Sequence, residues 1–60
     1  MIKVTQKDTG FRGLINRSQI MAVYETGDDV EVKTTYGPLV VCESFDQIQA
    51  QFDEAIKQEG

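Results

Sequence analysis

The chain has no histidine, no tryptophan, one cysteine and one proline in 60 residues. Each shortage excludes some chemistry. Without histidine there is no Ser-His or Cys-His nucleophile pair and no imidazole metal ligand. A single cysteine, Cys42, can neither close an internal disulfide nor build a Cys-rich zinc module, and it fits a reducing compartment. Long apolar runs are also missing. The longest, residues 20–24 and 39–42, fall far short of the ~20 residues that span a bilayer. Met1-Ile2-Lys3-Val4-Thr5 shows no basic leader followed by an apolar stretch, so no signal peptide and no membrane insertion are expected, and the expected location is cytoplasmic.

Hydrophobic residues make up 40% of the chain and charged residues 27%, the balance of a globular protein rather than a disordered one. The length allows one small domain over residues 1–60. A chain of this size buries only about 60% of the surface its unfolded form exposes, so its core needs a supplement. With disulfides and a metal cluster excluded, oligomerisation is left. A homo-oligomer, with a dimer favoured, is the expectation.

The net charge of −4 hides an asymmetry. Residues 1–24 carry Lys3, Lys7, Arg12 and Arg17 against Asp8, a net of +3; residues 25–60 carry Lys33 and Lys57 against nine acids, a net of −7. An acidic surface repels nucleic-acid phosphates, so no direct nucleic-acid binding is expected. Binding through the four cations of the first half is the weakest of the functional readings.

Period-two alternation and turn residues predict an antiparallel β-meander of four to five strands, about 1–6, 11–15, 20–26, 30–36 and 39–43. Lys7-Asp8-Thr9-Gly10, Gly27-Asp28-Asp29 and Gly37-Pro38 separate them as turns. Gly13 inside the second strand suggests a bulge. Asn16-Arg17-Ser18 suits a short helical turn. The third and fifth strands read as apolar on both faces, so either the sheet curls into a partial barrel or a second copy covers it. From Ser44 onward the period becomes helical. Phe45, Ile48, Phe52, Ala55 and Ile56 form one stripe on a C-terminal amphipathic helix of about 45–58. Ser44 and Gln47 have capping-box spacing, and Asp46 and Lys57 complement the helix dipole. The fold class expected is α+β.

Met1-Ile2-Lys3-Val4, Asn16, Ile20, Val23, Glu25, Thr34-Thr35-Tyr36-Gly37, Val40-Val41, Glu43-Ser44 and Ile48 resemble the pattern of the small flagellar protein family FlbD, also called SwrD. The likeness runs over about residues 1–56 and implies a flagellar or motility context. The chain departs from that pattern in its first hairpin, in Gly37-Pro38 and in an acidic C-terminal helix. Its middle segment is also similar to part of LytTR-type domains, and the strand-turn-helix order is similar to that of small phage proteins.

Candidate chemistry is sparse. Cys42 has no histidine beside it and reads as a small buried hydrophobe. Asp28, Asp29 and Glu31 lack the twelve-residue calcium-loop spacing. Gly10-Phe11-Arg12-Gly13 precedes a strand rather than a helix, so it reads as a hairpin, not a phosphate cradle. No catalytic residue, metal or cofactor is expected, and the chain is read as a non-enzyme. Tyr36 shares parity with Val30 and Val32 and should lie at the core margin. Tyr24 and Tyr36 are candidate interface anchors because tyrosine supplies rigid amphipathic area. Glu25, Asp28, Asp29, Asp53 and Glu54 are candidate partner-facing acids. The function expected is a protein-interaction and regulatory module acting on a protein partner. The alternative is a phage or mobile-element inhibitor whose acidic surface occupies a nucleic-acid site of its target.

Overall fold

A computed structural model describes residues 1–59, without the side chains of residues 58 and 59. Five strands and a helix follow in order: β1 (Ile2–Thr5), β2 (Arg12–Ile15), β3 (Ile20–Thr26), β4 (Asp29–Thr34), β5 (Gly37–Val41) and α1 (Phe45–Glu59), with a 3-10 turn, Arg17–Gln19, before β3. The α+β class and the antiparallel order match the sequence reading. Hydrogen bonding divides the strands into a two-stranded sheet, β1-β2, and a three-stranded sheet, β3-β4-β5.

The turns explain the hairpins. Gly10 and Gly27 have φ of +76° and +60°, the left-handed region that glycine enters without steric cost. Gly27 is the first of two loop residues between Thr26 and Asp29, the position where a type II′ hairpin turn requires positive φ. The next turn differs from the expectation: Thr34 pairs with Gly37, so the loop is Thr35-Tyr36, and Gly37 and Pro38 lie inside β5. The Tyr36 N–H donates to Thr34 Oγ1 at 3.1 Å, and that hydroxyl donates to the Gly37 carbonyl at 2.9 Å. Pro38 is tolerated in the strand because its position faces away from β4. The Val40 carbonyl accepts from Lys7 N–H outside the sheet, so Val40 and, two residues earlier, Pro38 turn away from β4; no strand lies beside Pro38, where a missing donor costs nothing. No bulge occurs at Gly13, which pairs regularly with Val4; the register shift is in β3, between Ile20 and Ala22.

The two sheets meet at one antiparallel bridge, Gln6 to Val41. There the Cys42 N–H donates to the Thr5 carbonyl at 2.8 Å and the Lys7 N–H to the Val40 carbonyl at 3.0 Å. The rest of that β1 edge is served by side chains. Glu43 accepts from the Thr5 N–H through Oε1 and from Thr5 Oγ1 through Oε2, at 2.7 and 2.9 Å. Gln51 of α1 accepts from the Lys3 N–H at 2.7 Å and donates to the Lys3 carbonyl at 2.9 Å. Its amide stands in for the peptide of a neighbouring strand.

Ser44 and Gln47 form the reciprocal capping box. The Ser44 N–H donates to Gln47 Oε1 at 2.8 Å, and the Gln47 N–H donates to Ser44 Oγ at 3.1 Å. The helix then presents its stripe to the sheets. Ile2, Val4, Val30, Val32, Val41 and Ile48 form the buried core, with Ile15, Ile20, Val23, Leu39, Phe45 and Phe52 packed around it. Ile56, expected on the same stripe, is 56% exposed. Fifteen helical residues extend ~22 Å, whereas the four of β1 reach only ~13 Å. The last helical turn therefore outruns the strand beneath it.

Ile48 is 1% exposed and locks the helix to both sheets. Ile48→Ala should cost about 2–5 kcal/mol, mostly through the cavity it leaves, enough to unfold much of so small a domain at 25 °C. Ile56→Ala should change stability by less than about 1 kcal/mol. Urea denaturation followed by circular dichroism measures both.

Candidate functional site

Where β1-β2 and β3-β4-β5 are not bridged, a cleft of about 440 Å³ opens between them. One wall is the end of the first hairpin, with Met1, Leu14 and Ile15; the other is the β4-β5 hairpin, with Thr34, Tyr36 and Leu39. The 3-10 turn fixes the width. The Thr35 N–H donates to the Gln19 carbonyl at 3.0 Å, and Thr35 Oγ1 bonds Gln19 Oε1 at 2.6 Å. The hairpin tip is thereby held against the segment that leaves β2. Met1, Leu14 and Tyr36 are 69%, 60% and 90% exposed. Apolar side chains thus gather at one rim.

Tyr36 therefore lies at a hairpin tip rather than at the core margin. Strand parity stops at Thr34, because the loop begins two residues earlier than Gly37-Pro38 suggests. Tyr24 stands on the uncovered outer face of the three-stranded sheet, with Lys33 Nζ 5.5 Å from its ring centroid, a cation–π arrangement. Val40 shares that face on β5, with Glu31 of the central strand between it and Tyr24. The two tyrosines do not form one site.

The acidic candidates separate into two groups. Glu25 and Asp28 line a depression of about 320 Å³ with Lys7, Val41, Cys42 and Glu43. Asp29 is the acceptor of an ion pair with Lys7. That hydrogen bond, then the charge attraction, raises the Lys7 pKa; both side chains are about half exposed, so water screens the pair and it adds little stability. Asp53 and Glu54 are exposed on α1, where Glu54 borders a separate depression with Met1, Lys3 and Gln51. Cys42 is exposed, not buried: β5 ends at Val41, which takes the inward position, and the next residue turns outward. Among the described residues no three of His, Cys, Asp and Glu gather to hold a metal ion. No helix there is long and apolar enough to cross a membrane.

Sequence reasoning missed Met1, Leu14 and Glu43. A signal for Leu14 existed. Phe11 and Ile15 share one parity and Leu14 takes the other, so β2, like β3, is apolar on both faces. Glu43 carried none, since its partner is 38 residues away.

Burial alone would raise the Glu43 carboxyl, but the Thr5 N–H and hydroxyl donors outweigh it and hold the pKa below the usual carboxylate value. A depressed folded-state pKa gives stability that is complete above the unfolded value, ~4.3 for Glu, and is lost as pH falls through the folded one. Glu43→Gln should therefore lose about 1–3 kcal/mol at neutral pH. The gap to the unaltered protein should narrow below pH ~4, in urea titrations across that range. No family model, curated protein or solved structure matches this chain.

Proposed function

We propose that this chain is a non-enzymatic protein-interaction and regulatory module of the cytoplasm, which engages a partner protein through the cleft between its two sheets. The observation that carries this reading is the convergence of Met1, Leu14 and Tyr36 at one rim. Monomers scatter exposed apolar residues, whereas a gathered patch marks a contact surface. The named lining supports binding over catalysis, since none of its side chains is a carboxylate, ammonium or thiol that could move a proton or attack a bond. Tyr36 supplies the rigid anchor, and the acids at Glu25 and Asp28 orient approach and raise the on-rate. The resemblance to the flagellar family makes a motility assembly the context to test first.

The test is capture from a nuclease-treated host lysate with the tagged chain, followed by mass spectrometry. Recovery of motor or basal-body proteins is the expected result. Leu14→Asp and Tyr36→Ala should each reduce that recovery by about tenfold or more, as loss of a central anchor does. Gln49→Ala, exposed on α1 and lining neither the cleft nor the depression beside Met1, should leave it unchanged. Recovery of a nucleic-acid enzyme, displaced by DNA and by salt, would instead establish the inhibitor reading. If the captured partner were indifferent to Leu14 and Tyr36, the cleft would not be the site.

A further inference from the structure

Two strand edges without proline are open among the described residues, and their chemistry is complementary. In the first hairpin, the Gln6 N–H donates to the Phe11 carbonyl. The ladder alternates, so Gly13 and Ile15 bond toward β1, while Arg12 and Leu14 turn their N–H and C=O groups outward. In the second sheet, Val40 and Pro38 face away from β4, so their partners Glu31 and Lys33 face β3. Tyr24, opposite Glu31, then bonds inward, and Val23 and Glu25 present their backbone groups outward. The first half of β5 is a third edge, but Pro38 removes its donor there, a common block to strand pairing.

Neither the β2 nor the β3 edge carries such a block. No register shift, proline or covering strand protects β2. Gly13 leaves a gap on its inner face, with no atom within 4 Å of where a Cβ would stand. Val4, Phe11, Ile15 and Leu39 line a hollow of about 120 Å³ there. The edge therefore suits an extended strand with an aromatic residue opposite Gly13 and an acid opposite Arg12. The chain carries that strand itself, as Val23-Tyr24-Glu25 on its other open edge.

We propose that copies of this chain associate head to tail, the β3 edge of one adding antiparallel to the β2 edge of the next. Glu25 of the second copy then pairs with Arg12, its Val23 pairs with Leu14, and its Tyr24 falls opposite Gly13. The first two are hydrogen-bonded pairs, and the third is the close non-hydrogen-bonded position, where an aromatic ring covers a glycine. Charge favours this pairing over β2 on β2: the β2 edge carries Arg12 in a hairpin that also holds Lys3 and Lys7 against Asp8, whereas the β3 edge carries Glu25 as its only charge. Strand addition of this kind draws affinity from main-chain bonds and specificity from alternate side chains. A head-to-tail contact closes as a ring or extends as a filament, according to its rotation.

Sedimentation velocity of the purified chain, from micromolar to millimolar, is the test. Association should grow with concentration and weaken with salt. Arg12→Glu and Glu25→Arg should each shift it to about tenfold higher concentration, and the double variant should restore it, since the pair is only reversed. Leu14→Pro removes an outward donor without touching the bonds to β1 and should abolish association while circular dichroism stays unchanged. A chain that stays monomeric to millimolar overturns the proposal. So does association that charge reversal and Leu14→Pro both leave intact. The assay contains no other protein, so its failure leaves the partner-binding reading standing, and failure of lysate capture leaves this one standing.

Discussion

The fold depends on how the second edge of β1 is satisfied. β1 is only four residues long and pairs with β2 on one side. Its other side bears the N–H and C=O groups of Lys3 and Thr5, beside the fully buried Ile2 and nearly buried Val4. Buried backbone groups without partners cost about as much as a lost hydrogen bond each. No strand runs the length of that edge. The protein uses three kinds of partner in sequence: the backbone N–H of Cys42 just past β5, the carboxylate of Glu43, and the helix amide of Gln51. This joins hairpin, sheet and helix at one place and positions Ile2 and Val4 over Ile48.

The same arrangement creates the cleft. The bridge at Gln6 and Val41 holds the sheets together at one point. Away from it they diverge, and the gap is kept open by the contact of the β4-β5 hairpin with Gln19. Core and cleft are therefore alternatives for the same apolar residues. Ile15 and Leu39 pack against the core and also line the opening. A sixty-residue chain with six buried core residues among those described has too little volume to fill both regions. Met1, Leu14 and Tyr36 are the side chains left at the margin.

What could be read in the sequence was local. Val30 and Val32 alternate with Glu31 and Lys33, and the first pair is buried. Ser44 and Gln47 announce the helix start through bonds confined to three residues. The failures concern residues whose environment is set at a distance. Gly37-Pro38 has the composition of a turn, yet proline is acceptable in β5 because that edge lacks a neighbouring strand, a fact of tertiary pairing. The error displaced the loop and moved Tyr36 from hairpin tip to core margin. Cys42 follows an apolar run, but the strand ends one residue before it. Gln51 and Lys3 are 48 residues apart, and no local pattern marks an amide that will replace a strand.

Edges and charges are two sides of one constraint. Five short strands around so small a core do not close a barrel, so open backbone edges remain at β2 and β3. Natural sheets usually blunt such edges with like charge, proline or bulges. Here proline blunts β5. The bulge of β3 lies near its start, between Ile20 and Ala22, and leaves residues 23–26 in regular pairing with β4. β2 keeps Arg12 as its only charge. The basic half of the chain contains one open edge, and the other ends at Glu25, where the acidic half begins. Opposite charges on the two edges disfavour pairing of like with like. They leave pairing of unlike edges as the contact that electrostatics does not oppose.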